Sequence, residues 1–198
     1  SNYNLDREDL FTQTGLAALA QIELSASDRF CIDQLLAQWK GFRLQLQQTD
    51  KQLRTFAESG SKEEREDRRL LRTIPGIGPI TTDVVLAELA GWRRFSSIKQ
   101  VSAYAGLVPG QRESAGKRKS LHIEKTGSPL LRWVMCQAAW QLVKRSARWR
   151  TIYDRLKERI GSKKAIIAMS RRLLGVCFSI LKSQKDYCEK TLAPAVAA

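Results

Sequence analysis

Histidine is nearly absent from this sequence: His122 is the sole imidazole among 198 residues. Of the four cysteines, Cys31, Cys136, Cys177 and Cys188, no two form a CxxC pair, so a zinc site has little support. The thiols read instead as reduced and mostly buried. No uninterrupted stretch approaches the about 18 to 20 apolar residues of a spanning helix, and no basic-then-apolar leader opens the chain. No polybasic segment sits beside an apolar anchor either, which leaves out a membrane-surface role and makes the expected location cytoplasmic. The opening Ser1-Asn2 has the form of a cleavage scar, so the sequence reads as a fragment of a longer protein.

Acidic side chains are the other scarcity, and they are scarce in one half only. Residues 1–110 carry 14 basic and 14 acidic groups, whereas residues 111–190 carry 20 basic and 6 acidic ones, so the whole net charge of +14 lies in the second stretch. That asymmetry points to a polyanionic partner. On duplex DNA such a surface gains affinity by releasing about 0.9 counterion per neutralised phosphate, and binding then weakens steeply with salt. The six acids of that half, Glu113, Glu124, Asp154, Glu158, Asp186 and Glu189, are scattered among cations and make a poor two-metal nuclease site. With 43% hydrophobic residues and five tryptophans the chain has the material for a packed core.

Apolar spacing divides the chain. A helical lead-in occupies residues 1–27, with a break expected at Thr14-Gly15. After the capping cluster Ser25 to Asp28, Ile32, Leu35, Trp39, Phe42, Leu46, Thr49, Leu53 and Phe56 alternate steps of three and four, an a/d seam with one polar member. This predicts a coiled-coil arm and linker over 28–68 containing a rod of roughly 40 Å. Such a rod implies a homo-oligomer; its alternative is a long helix packed on its own domain. A compact helical domain is expected over 69–190 and a flexible tail over 191–198.

Within that domain, Ile74-Pro75-Gly76-Ile77-Gly78-Pro79 separates two helix-compatible segments, and two glycines around one apolar residue permit a tight hairpin. The pattern resembles a helix-hairpin-helix, in which the backbone amides of Gly76, Ile77 and Gly78 would face one DNA phosphate without regard to sequence. Read blandly, it is a connector between packed helices. Residues 110–128 then form a polar, basic stretch between apolar helices, expected to be a loop. A serine hydroxyl can attack a phosphodiester if it is held in line and surrounded by cations. Ser114 has such neighbours in Arg112, Lys117, Arg118, Lys119 and Lys125; Ser120 and Ser128 are rivals by composition, and a merely solvated loop is the plain alternative. His122 is a weak candidate base. Helices follow from Leu130 to Arg148, with Leu130, Leu131, Val134, Ala138 and Leu142 on one face, and from Lys163 to Lys182, with Ile166, Met169, Leu173, Leu174, Cys177 and Ile180 facing inward.

In their order, Ile74-Pro75-Gly76-Ile77-Gly78, Arg94-Phe95, Ala103 to Pro109, Ser114-Ala115-Gly116-Lys117, Ile123 to Gly127, Leu131-Arg132 and Tyr153 to Arg155 with Ala165 to Leu174 resemble the C-terminal transposase domain of the insertion sequence 110 family. The resemblance covers residues 70–187. It implies cutting and rejoining of DNA through a serine nucleophile that becomes linked to a DNA phosphate, and the matching position is Ser114. It also implies a ribonuclease-H-like N-terminal domain outside this chain that holds Mg2+, a coiled coil like the arm, and a guide RNA as second nucleic-acid partner. Gly127-Ser128 replaces the family's usual Gly-Asn, and Ala115 a frequent glycine. The expected fold is thus all-α: a coiled-coil arm, then a helical domain with a helix-hairpin-helix and a basic catalytic-serine loop. Its DNA-binding residues would be Gly76, Ile77, Gly78, Arg112, Lys117, Arg118, Lys119, Lys125 and Arg132. A non-catalytic helix-hairpin-helix DNA-binding module, or a scaffold built on the arm, would be the alternatives.

Overall fold

The computed structural model describes residues 11–114, 117–123 and 127–189, with the strands over 109–123 described by their backbone. The expected tail 191–198, Lys125 and the first ten residues lie outside them. The chain divides into two compact units, Ser1–Phe56 and Ala57–Ala198.

The first unit holds α1 (Gln13–Gln21) and most of α2 (Ala26–Ser59). Thr12, not Thr14-Gly15, marks the local break: its Oγ1 accepts from the Gly15 amide and caps α1, and Gly15 is buried inside that helix. Arg29 donates to the carbonyls of Leu19 and Ile22, so a cation satisfies the orphan end of α1. Ser25 accepts from the Asp28 amide at the start of α2. No residue of α2 is buried, and Phe42 and Leu46 of the apolar seam are each 64% exposed.

The second unit is built from helices α3 (Lys62–Arg72), α4 (Pro79–Glu88), α5 (Ile98–Tyr104), α6 (Pro129–Arg145), α7 (Ala147–Ile160) and α8 (Ser162–Ser183), with a 3-10 turn at Trp92–Arg94. The all-α class therefore holds for its body. Helix α8 runs through the middle, packed by α3, α5, α6 and α7. Every residue expected to face inward on it is buried, Leu173, Leu174 and Cys177 completely. Burial pushes the Cys177 thiol up to about 12. The other thiols correct the expectation of mostly buried cysteines: Cys136 is half-buried, while Cys31 and Cys188 are exposed. The first of these stands on the uncovered arm and the second beyond the end of α8.

Serines set the boundaries. Ser61 and Glu64 form a reciprocal capping box on α3, Ser97 caps α5, and Ser146 both ends α6 and caps α7. The buried carboxylate of Asp67 accepts from the Trp92 Nε1 at 3.0 Å and from the Gln184 Nε2 at 2.7 Å, fastening the 3-10 turn and the end of α8 to α3. Arg68 Nε reaches Asp83 at 3.0 Å and ties α3 to α4.

The serine segment departs from the expected loop. It pairs as an antiparallel hairpin of β1 (Pro109–Ser114) and β2 (Lys117–Ile123). A structureless stretch of that length leaves many backbone amides and carbonyls unpaired, and pairing of the two strands satisfies them. No helix of the described residues is long and apolar enough to cross a membrane.

Candidate nucleic-acid interface

The connection between α3 and α4 is short because its apolar residues turn inward: Ile74 and Ile77 are buried in the core. Gly76 has φ +90°, and a Cβ there would meet the Leu142 amide at 3.0 Å, Gln141 Cβ at 3.1 Å and the Ala138 carbonyl at 3.2 Å. Only glycine fits this approach to α6. The Ile77 amide bonds the Ile74 carbonyl at 3.1 Å and is used within the turn. The three residues expected to share one phosphate are therefore unlike in surroundings. Gly76 packs on α6 and Ile77 fills the core, whereas nothing lies within 4 Å of a Cβ built on Gly78. Gly78 precedes Pro79 at the head of α4 and gives no side-chain cap, which leaves the Ile80 and Thr81 amides of the first turn directed along the positive end of the helix.

In the hairpin, Ser114 pairs with Lys117, Glu113 with Arg118, Arg112 with Lys119 and Gln111 with Ser120. Because residues alternate across a strand, this register assigns Ser114, Arg112, Lys117 and Lys119 to one face of the ribbon. Arg118 and Ser120 fall on the other. Lys125, the fifth cation expected beside Ser114, lies outside the described residues. The other rival, Ser128, caps α6 by accepting from the Leu131 amide at 3.1 Å.

The root of the hairpin is tightly built. A Cβ on Gly127 would lie 2.0 Å from the Tyr104 carbonyl and 2.5 Å from the Gly106 amide, so the chain leaving the segment runs directly over the end of α5. Half-buried Arg132, expected on the DNA, donates through Nη1 to the Gly127 carbonyl at 2.6 Å and the Ala105 carbonyl at 3.2 Å. This arginine joins the start of α6, the hairpin exit and α5. Sequence reasoning also passed over Arg94 as a site residue. Its guanidinium stands 4.8 Å from the ring centre of Phe95 and 5.2 Å from that of Tyr104, whose own carbonyl borders Gly127. The available signal was an arginine followed by an aromatic, with a second aromatic near the end of the next helix.

Charge is uneven in the same sense as in the sequence. Asp186 is held by Arg69 at 2.7 Å, which keeps its carboxyl below the usual range, and Glu189 accepts from Ser146. Among the described residues, Arg155, Lys157, Arg159, Lys163 and Lys164 pair with no carboxylate. The acids do not converge, and no group of three His, Cys, Asp or Glu that could hold a metal occurs among the described residues.

Residues 68–154 of this helical body match the family model described as Transposase IS116/IS110/IS902 family. Within that stretch the chain is similar to the family's transposase domain. It is 31% identical over 126 residues to the transposase for insertion sequence element IS1111A of Coxiella burnetii, covering 62% of this chain and 35% of the relative. A probable family 20 transposase of Pseudomonas aeruginosa is 29% identical over 130 residues, covering 62% and 38%, respectively. The pilin gene-inverting protein of Moraxella bovis is 29% identical over 121 residues, covering 60% and 38%. The chain thus spans little more than a third of the length of these curated relatives.

Proposed function

We propose that this chain is the DNA-handling half of an insertion-element transposase and that Ser114 is its nucleophile. The observation that carries the reading is the hairpin register, which groups Ser114 with Arg112, Lys117 and Lys119 on one face of a ribbon rooted at Gly127 and Arg132. In the step proposed, the serine oxygen bonds to the phosphorus of a DNA phosphodiester. One phosphorus–oxygen bond to deoxyribose breaks, and the serine proton ends on the released hydroxyl. Charge gathering on the phosphoryl oxygens is met by the three cations. Phosphodiester is exchanged for phosphodiester, so the reverse attack by a new deoxyribose hydroxyl rejoins DNA without an external energy source.

The head of α4 beside Gly78 would hold a neighbouring phosphate through the Ile80 and Thr81 amides. Arg94 and the unpaired cations of α7 and α8 extend the track, and the same surface would accept a guide RNA. The uncovered seam of α2 would pair with a second copy, making a homo-oligomer. Mg2+, where the reaction needs it, would be held by a further domain of the complete transposase. Relatives named as transposases and as a gene-inverting protein share one chemical requirement, cutting and rejoining DNA strands, which supports this reading over a module that only binds.

Two measurements test it. Duplex affinity of the 198-residue chain should fall steeply as salt rises, with several counterions released per complex. In the complete transposase, Ser114→Ala should abolish strand exchange while leaving DNA affinity within about twofold. Normal exchange by that variant would place the nucleophile elsewhere.

A further inference from the structure

The five tryptophans divide by what holds them. Trp92 and Trp149 are parts of the core, and their Nε1 groups donate to Asp67 and to the Tyr187 hydroxyl, each at 3.0 Å. Trp39 of the arm stacks with Phe11 at 5.5 Å between ring centres and lies under the Arg43 guanidinium. Trp133 and Trp140 differ from these. They are 58% and 38% exposed on the outer side of α6, and among the described residues neither indole N–H has a hydrogen-bond partner.

Seven residues apart, the two rings share one side of the helix, about 10.5 Å from each other along its axis. Exposed Gln137 lies between them and exposed Lys144 follows one turn on. Trp140 sets its ring edge-on to Tyr153 of α7, with centres 5.3 Å apart, which orients the indole. Arg150 crosses from α7 to the carbonyls of Val143 and Lys144, at 3.3 and 2.9 Å, and anchors a guanidinium at that end of the stripe. Helix α6 contains no acidic residue. A second copy of the chain would bring the same cations against themselves, whereas a polyanion with flat apolar faces complements both the rings and the charge.

We propose that Trp133 and Trp140, flanked by Lys144 and Arg150, form a stacking platform for the unpaired bases of single-stranded nucleic acid. Base–aromatic stacking beside a cationic groove is the general means of holding a single strand irrespective of sequence. The ring separation corresponds to about three steps of 3.4 Å along a stacked strand. The platform starts just beyond Ser128, the cap of α6, on the helix that follows the serine hairpin in the chain. This inference rests on the DNA-handling reading and adds to it a preference between nucleic-acid forms.

The test is anisotropy with the 198-residue chain, fluorescein-labelled oligothymidine and a labelled duplex of equal length. Oligothymidine should quench indole fluorescence. The W133A/W140A double variant should lose about tenfold per ring in oligothymidine affinity, with duplex affinity changed less than about twofold. W133A, whose ring is 58% exposed, should melt like the parent; W140A also removes the contact with Tyr153 and should melt lower, so affinities are compared below both melting transitions, and W133F/W140F should regain most of the loss. Equal losses on the two DNAs, or none on oligothymidine, overturn the platform. So does the disappearance of a dimer from sedimentation profiles in W133A/W140A, which would seat a second copy on this face. If the parent chain binds neither DNA, the DNA-handling reading falls; if duplex binding persists and the rings prove indifferent to oligothymidine, the platform alone falls.

Discussion

Helices α2 and α8 have comparable apolar spacing and opposite fates. The 34 residues of α2 bury none of their side chains, whereas eleven of the 22 residues of α8 are buried. Periodicity marks a face; what neighbours the chain can fold against decides whether that face is filled. Four helices surround α8, while no residue of α2 is buried. Stability should therefore reside in the second unit and association in the first, and mutations can separate the two.

The largest effect is expected at Trp149, fully buried and bonded to Tyr187. Trp149→Ala should cost about 3 to 5 kcal/mol in denaturant unfolding of the second unit. Leu46→Asp should leave that transition within about 0.5 kcal/mol, as surface substitutions do, yet abolish self-association in dilution-dependent sedimentation. Equal destabilisation by both would mean that α2 is packed like a core helix. At Gly127 the missing Cβ decides: Gly127→Ala must displace the hairpin from α5, costing about 1 to 3 kcal/mol. It should reduce strand exchange in the complete transposase far more than duplex affinity, because the cations of α7 and α8 are untouched. Smallest is the acid dependence of the Arg69 pairs. The Arg69 guanidinium holds the Glu66 and Asp186 carboxyls below their ordinary values. A depressed folded pKa gives stability that is present above the ordinary carboxylate range and lost as pH falls through the folded value. Both acids are exposed, so the melting difference between the parent and Arg69→Gln should be slight at pH 7, smaller still in high salt, and gone in strong acid.

The same contrast explains what could be read from residues in order. Inward positions of α8 follow from period alone, and the serine caps at Ser97 and Ser128 follow from local hydrogen bonding. Contacts between distant segments do not follow. Leu130 was expected on the apolar face of α6, but it stands at the first exposed turn beside Trp133. Gly76 reads as a loop glycine until α6 is seen against it, and Arg132 reads as a DNA cation until the Gly127 and Ala105 carbonyls are placed at its tip. The hairpin at 109–123 is hidden for a related reason: its strands are polar and charged, with little of the β-branched, aromatic composition that signals a sheet. Composition leaves Ser114, Ser120 and Ser128 as rivals, and which cations share a strand face with Ser114 depends on cross-strand register.

The most direct test is to trap the complete transposase on a nicked DNA substrate that cannot be rejoined, digest the covalent product and map the modified residue by mass spectrometry. A nucleotide attached through phosphate to the Ser114 oxygen, absent from Ser114→Ala, is the expected result. Attachment at Ser120 or any other side chain, or efficient strand exchange with no protein–DNA linkage, would contradict it.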